Sequence, residues 1–279
     1  MSHTGNVTGS FLGSFSGHRS ANYSKNDLFD LQDLQPLLWL DTSDISTIIA
    51  EQGAVSQWRD KSKYKQNFSQ TVGSQRPRLS TAENLPALLF DGLDDNLAAV
   101  STAQNYAYPY TALFLVSASS FSIAYNTLFD SYQDGTGTSP GAAFFVKSNG
   151  KSAFYGVSTT IQPNYDGTGA ITYQANNPFL ITFSIADNSI NSWGNGVDDG
   201  IMSSTFINKT TPVGNEIYLG AGVRFSRYTP WLYREALFIP RISTVNRQIA
   251  EGVLCWKRGL QNILPASHPY RNRPPLVGD

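Results

Sequence analysis

The stretch "YTALFLVSAS", Tyr110 to Ser119, is apolar or small at nearly every position. A strand with one wet face alternates apolar and polar residues, because successive side chains point to opposite faces. This one does not alternate, so it reads as a central strand covered on both faces. Outward from it the chain repeats one theme. "LLWLD", "LPALLFDG", "YNTLFDSY", "GAAFFVKS", "SAFYGVS", "FLITFSIA", "SINSWGNGV", "NEIYLGAG" and "YREALFIP" are short apolar runs. Between them lie "QDGTGTSPG", "KSNGK", "NYDGTG", "GNGVDDG" and "TTPVGN". Gly, Asn and Asp supply the positive-φ positions that tight hairpins need. About a dozen such runs predict an all-β fold, a two-sheet antiparallel sandwich.

Composition agrees. Charged residues make up 15% and aromatics 13% of 279 residues, which suits strands and turns. The net charge of −1 gives no global field for nucleic acid or anionic lipid. Nine Lys or Arg lie beyond Gly220 against three acids, dispersed as on an ordinary solvated surface. No stretch approaches 18 apolar residues, so no membrane-spanning helix is expected. The first residues lack the basic and apolar regions of a secretory signal. Cys255 is the one cysteine and sits in an apolar run, as a buried, inert thiol would.

One helix stands out, at about 243–260. Val245, Ile249, Val253, Trp256 and Leu260 recur at three- or four-residue steps and form an apolar stripe. Ser243 or Thr244 can cap its start, and Lys257 and Arg258 suit the negative end of its dipole. Residues 36–260 are therefore expected to form the sandwich with its helix, and 261–279 a Pro-rich extended tail. Residues 1–35 differ. Gly5, Gly9, Gly13 and Gly17 recur every four residues among Val7, Phe11 and Phe15. Glycine at that density opposes a helix, and the apolar residues are too few for a core. The segment is either a disordered leader or an attachment arm in which Val7, Phe11 and Phe15 dock. Its regular spacing favours the arm. Leu28, Leu31 and Leu34, three apart, suggest a brief helical turn or linker.

Chemistry has few candidates. In "FDGLDDNL", Phe90 to Leu97, the carboxylates of Asp91, Asp94 and Asp95 with Asn96 form either an Asp-rich turn between strands or a Ca²⁺ site. Asp198 and Asp199 pose the same choice. None of the five Glu lies on a strand with a second carboxylate two or four residues away, the along-strand signature of a glycosidase pair. A cross-strand pair stays open. His3 and His18 fall in the arm and His268 in the tail, poor places to hold an imidazole for catalysis. The expectation is a non-enzyme. Aromatic platforms for sugars are more promising: Trp193 with Asn191 and Asn195, Trp231 with Tyr228 and Tyr233, and Tyr165 with Asn164 and Asp166. Trp39, Trp58 and Trp256 read as core, while Trp193 and Trp231 stay open between platform and core.

Three stretches in order, "LLWLDTSDISTI", "VSQWRDKSKYKQNFSQ" and "RPRLSTAENLPALLFDGLDDNL", resemble the opening of a laminin-G-like, concanavalin A-like jelly-roll domain of phage structural and bacterial surface proteins. "REALFIPRISTVNRQIAEGVLCWKRGLQNILPASHPYRNRPP" resembles the closing strand, helix and tail of that group. The sequence departs from the pattern at Lys63, Val253 and Arg258. "GNVTGSFLGSFSG", Gly5 to Gly17, resembles the Gly-Ser-Phe repeats of phage fibres, which often trimerise. These resemblances imply a jelly roll and a virion protein of head, tail or fibre. Its partners would be other virion proteins through the arm, further copies of itself with a trimer favoured, and a host glycan. They support the turn for "FDGLDDNL", and relatives that bind Ca²⁺ at loop edges keep the metal open. The rivals are a secreted or cell-surface glycan-binding module, and a glycosidase built on a cross-strand carboxylate pair.

Overall fold

The computed structural model describes residues 28–100, 109–131, 141–157, 169–186, 189–203, 216–222, 227–240 and 243–279. The expected arm residues Val7, Phe11 and Phe15, and the expected platform residue Tyr165, lie outside the described residues.

The strands are β1 (Leu38–Asp41), β2 (Ile48–Glu51), β3 (Ala54–Trp58), β4 (Phe68–Ser69), β5 (Arg78–Ala82) and β6 (Leu85–Leu89). Then come β7 (Leu97–Val100), β8 (Tyr110–Ala118), β9 (Tyr125–Asp130), β10 (Gly141–Lys147), β11 (Ser152–Val157) and β12 (Phe179–Ala186). β13 (Ser189–Gly194), β14 (Val197–Ser203), β15 (Glu216–Leu219), β16 (Ala221–Gly222), β17 (Arg227–Tyr228) and β18 (Trp231–Pro240) precede the helix α1 (Thr244–Lys257).

Two layers result. In the back sheet, β18 pairs with β1, β6 and β8, and the order continues through β12 and β13 to β14. The front sheet runs β11, β10, β9, β15, β7, β4, β3, with β2 on β3. β5 pairs with both β3 and β6 and so joins the layers at one corner. The fold is a two-sheet antiparallel jelly-roll sandwich: the sequence pattern predicts the sandwich, and the resemblance implies the jelly roll. Aromatic rings hold the layers together. Phe238 of β18 meets Phe129 of β9 at 4.9 Å, and Phe183 of β12 meets Phe144 of β10 at 4.7 Å between centroids. Each buried ring contributes on the order of 2–3 kcal/mol from apolar burial.

β8 behaves as its sequence demands. Ala112, Phe114 and Val116 point into the inter-sheet core, while Leu113 and Leu115 point out under the helix. α1 lays Ile249, Ala250, Val253 and Leu254 on them and on Leu237 and Ile239 of β18. Ser243 caps the helix by accepting from the Asn246 N–H at 3.3 Å. Val245, at its first turn, is exposed rather than part of the buried stripe. Cys255 is buried, and burial pushes its thiol well above the usual range, which keeps it protonated and inert.

Both flanks of the domain differ from expectation. Residues 261–279 do not form a separate extended tail. They fold back over α1, burying Leu264 and Tyr270, and the Trp256 indole donates to the Tyr270 carbonyl at 2.7 Å. Gly252 makes this possible, since a Cβ there would lie 2.7 Å from both Pro275 and Tyr270. Packing also begins upstream of Pro36. Leu31 and Leu34 form one edge of a 3-10 turn, Leu31–Leu34, and are buried in the helix-side cluster. A three-residue period matches that helix type. Leu28 bridges to Leu276, and the Phe29 N–H donates to Pro275 at 3.1 Å.

Candidate functional site

Trp231 is core, which corrects its reading as a sugar platform. It is fully buried, its indole N–H donates to the Thr127 carbonyl at 2.8 Å, and its ring lies against Phe121 and Phe179. Tyr233 beside it is buried too and donates to the Leu128 carbonyl. Trp193 is half-buried on the helix side of the back sheet, with the Arg247 guanidinium 4.3 Å over its ring. Asn195 serves the β13–β14 turn. Its φ is +52°, Gly196 follows at +79°, and its side-chain oxygen accepts from the Leu180 N–H at 2.8 Å. That oxygen is spent on the fold. Tyr228 sits on β17, against the front sheet, so Trp193 and Tyr228 belong to different layers.

The acidic turn holds both features proposed for it. Asp91 Oδ1 accepts from the N–H groups of Leu93, Asp94 and Asp95, and Asp95 accepts from the Asp91 N–H at 2.9 Å. This is a side chain serving its own turn. A carboxylate oxygen from each of Asp91, Asp94 and Asp95 also lies within 4.8 Å of the others, close enough to share one cation. Burial, then the neighbouring carboxylates, push Asp95 up to about 6. Asp198 and Asp199 separate. Asp198 is exposed and accepts from Gly200, whereas Asp199 is buried and accepts from Ser152, Ser192 and the Ile171 N–H.

β1 and β18 do set two carboxylates face to face across strands: Asp41 opposite Glu235. Lys257 lies between them, 3.0 Å from Asp41 and 2.7 Å from Glu235. Glu235 is fully buried, and the same oxygen accepts the Trp39 indole N–H at 2.7 Å. Burial alone would raise the Asp41 carboxyl, but Lys257 and Lys61 hold it well below the usual range. Burial raises Glu235. A glycosidase pair must admit a sugar between its carboxyls. Here an ammonium fills that place, so the pair is an ionic joint between α1 and the back sheet. A bulge prepares it. The register of β18 shifts between Tyr233 and Glu235, and Arg234 and Glu235 both turn to the helix side. Arg234 there pairs with Glu83 at 2.7 Å.

A second cluster lies on the outward face of the front sheet. Ile217 and Leu219 of β15 face the core, which turns Glu216 and Tyr218 outward. Tyr218 stands opposite Asp130 of β9, and its hydroxyl donates to Glu216. Burial and Glu216 push that hydroxyl up, with Asp130 and the Tyr228 phenol close enough to add to the effect. On the same face, Tyr125 packs against Phe145 at 5.5 Å, and Arg227 of β17 lies 4.6 Å over the Tyr125 ring. Tyr125, Tyr218 and Tyr228 are each half-buried. Gly220 lets β15 turn into β16 here. Its φ is +75°, and a Cβ would strike the Phe90 ring at 2.3 Å. The site's signal in the sequence was the alternation of "EIYL", which fixes Tyr218 outward once Ile217 and Leu219 are placed inside.

No protein-family description matches the chain, and no curated protein does. Solved structures share its fold. The receptor binding domain of botulinum neurotoxin D matches 78% of this chain and 52% of its own length, with a TM-score of 0.54 and 12% identity. The Trypanosoma rangeli sialidase matches 75% of this chain and 31% of its own length, with a TM-score of 0.51 and 12% identity. The chain thus spans about half of the one and a third of the other. At such identities the likeness is one of fold: an antiparallel β-sandwich with the jelly-roll arrangement.

Proposed function

We propose that this chain is a non-enzymatic attachment protein that binds a host glycan through the outward face of its front sheet. The observation that carries the reading is the gathering of Tyr125, Tyr218 and Tyr228 on that face with Arg227, Glu216 and Asp130 among them. Tyrosine offers an apolar ring for the C–H face of a sugar and a hydroxyl for its polar edge. The exposed Glu216 carboxylate and the Arg227 guanidinium beside the rings supply directional bonds to sugar hydroxyls. The half-buried rings have already lost much of their freedom, so little entropy remains to be lost on binding.

The virion role rests on sequence. The glycine-spaced arm and the phage-like order of motifs support a module that anchors through residues 1–27 to other virion proteins or further copies, with the sandwich projecting. The packed root of the arm at Leu28–Leu34 supports anchoring from one fixed place on the domain.

A glycan array with the wild type and with Tyr218→Ala/Tyr228→Ala tests the binding face. The double variant should lose signal without a fall in melting temperature. Retained signal would remove this face from consideration. Light scattering after deletion of residues 1–27 tests the arm. A folded species of lower order is expected, and an unchanged assembly would count against anchoring.

A further inference from the structure

The outward face that carries the three tyrosines continues across the front sheet in one row. Tyr218 of β15 stands opposite Ala98 of β7, Ala98 opposite Ser69 of β4, and Ser69 opposite Gln57 of β3. Residues opposite one another on paired strands share a face. Their chain neighbours fix which face it is. Leu97, Ala99, Phe68 and Trp58 are buried in the inter-sheet core, so Ala98, Ser69 and Gln57 point outward with Tyr218. Two long side chains, Tyr218 and Gln57, stand three strand spacings apart, roughly 14 Å. Ala98 and Ser69 between them are short, which leaves a shallow trough floored by a methyl group and a hydroxyl.

The two ends of the trough differ in chemistry. At one end the Tyr218 hydroxyl donates to Glu216, so its oxygen is left to accept. The Glu216 carboxylate only accepts, and Val100 opposite it on β7, 59% exposed, offers apolar surface. At the other end Gln57 Nε2 donates to Ser69 Oγ at 3.2 Å, and Gln57 Oε1 accepts from Arg59 Nε at 3.3 Å. A side-chain amide has two N–H donors and two lone pairs, so both atoms of Gln57 keep capacity for a further bond.

We propose that the ligand of this face is an internal stretch of a neutral linear polysaccharide, lying across the strands from Tyr218 to Gln57. The inference rests on the glycan-binding role proposed above and adds the ligand's length and charge. Length follows from the row. A pyranose ring spans about one strand spacing, so a single sugar on Tyr218 would leave Ser69 and Gln57 untouched, whereas a chain of several reaches them. Charge follows from the acceptors. Sugar hydroxyls can donate to the phenol oxygen and to Glu216. A sugar carboxylate or sulfate has no proton to give and would meet Glu216 as a like charge. The Arg227 guanidinium does not reverse this along the row, because it lies over Tyr125 on the β9 side of Tyr218, away from β7. Glu216 at one end and Arg59 at the other sum to zero, and Ala98, Ser69 and Gln57 between them carry no charge.

An array of neutral and of uronic-acid-bearing oligosaccharides, each from mono- to hexasaccharide, tests this on the full chain, with affinities of the strongest series measured by calorimetry. Affinity for the neutral series should rise roughly tenfold between disaccharide and tetrasaccharide, as one or two added polar contacts would give, and then level off. Gln57→Ala, at an unchanged melting temperature, should remove that gain and leave the disaccharide's affinity as it was. Tyr218→Ala/Tyr228→Ala should lose every length. Equal affinity at all lengths, a preference for the acidic series, or no effect of Gln57→Ala would overturn the proposal while leaving the tyrosines as the binding face. Binding that survives the double tyrosine variant, or no binding of any glycan, would remove the face itself and this inference with it.

Discussion

The two outward faces of the sandwich are built from the same alternation of strand residues and come to opposite ends. On the back sheet, Leu113, Leu115 and Leu237 point outward, and α1 covers them. Of the charged residues there, Asp41, Glu235 and Lys257 are closed upon one another in ion pairs, and Arg234 is paired with Glu83. On the front sheet the outward residues include Tyr125, Tyr218, Glu216 and Arg227, with the three tyrosines only half-buried. Buried charge is costly unless paired, so charges beneath a helix are committed to the fold. The difference teaches that a carboxylate pair marks chemistry only where something other than the protein can reach it. Asp41 and Glu235 stand opposite each other across two strands, but Lys257 fills the space between them.

The largest test of this contrast is Trp231→Ala. As a core residue it should cost about 3–5 kcal/mol of stability on denaturant melts, whatever its effect on glycans. Lys257→Met comes next. It leaves Asp41 facing a buried Glu235 with the bridging cation gone, and should cost on the order of 3 kcal/mol. Because the folded Asp41 pKa is depressed, the joint's stabilising contribution is present above the ordinary carboxylate range and is lost as pH falls below it. If Lys257→Met proved neutral, the back face would not be an ionic joint. Asp95→Asn should do the reverse, on a smaller scale. The folded Asp95 pKa is raised to about 6, so its contribution is greatest below the ordinary Asp range and is lost as pH rises through 6. The amide should therefore stabilise by about 1 kcal/mol at neutral pH, less than the shift alone implies, because exposed Asp91 and Leu93 leave the turn open to screening. Saturating calcium separates the two readings of that turn: an unchanged melting temperature fits the turn alone, a rise adds a metal. Smallest in stability is Tyr228→Ala, within about 0.5 kcal/mol of wild type by melting. Its effect should appear in glycan binding instead.

Much of this was legible in the sequence, and the misses have specific causes. The unbroken apolar run of β8 announced a strand covered on both faces, and the stripe in α1 announced what covers it. The choice between platform and core for Trp231 could not be made from the sequence, because the face of a strand residue is found by counting in twos. Counting back from Phe238 places Leu232 inside and Trp231 outside. The bulge at Arg234 reverses that parity, and nothing local in "WLYREALF" marks it. Asp41 and Glu235 are neighbours only through the β1–β18 register, a pairing across nearly the whole chain. The tail reads as extended from its prolines, but its packing depends on Gly252, which looks like a defect in the helix until Tyr270 and Pro275 are laid on it. The outward tyrosines of the front sheet could have been placed by parity, since "EIYL" carries no bulge.

We propose that binding belongs to the front face. It is tested most directly by NMR titration of the wild-type domain with a glycan selected on the array. Shifts should concentrate at Tyr125, Glu216, Tyr218 and Tyr228, with Trp193 and α1 unmoved. Shifts centred instead on Trp193 and Asn191, with the front-sheet tyrosines silent, would contradict it.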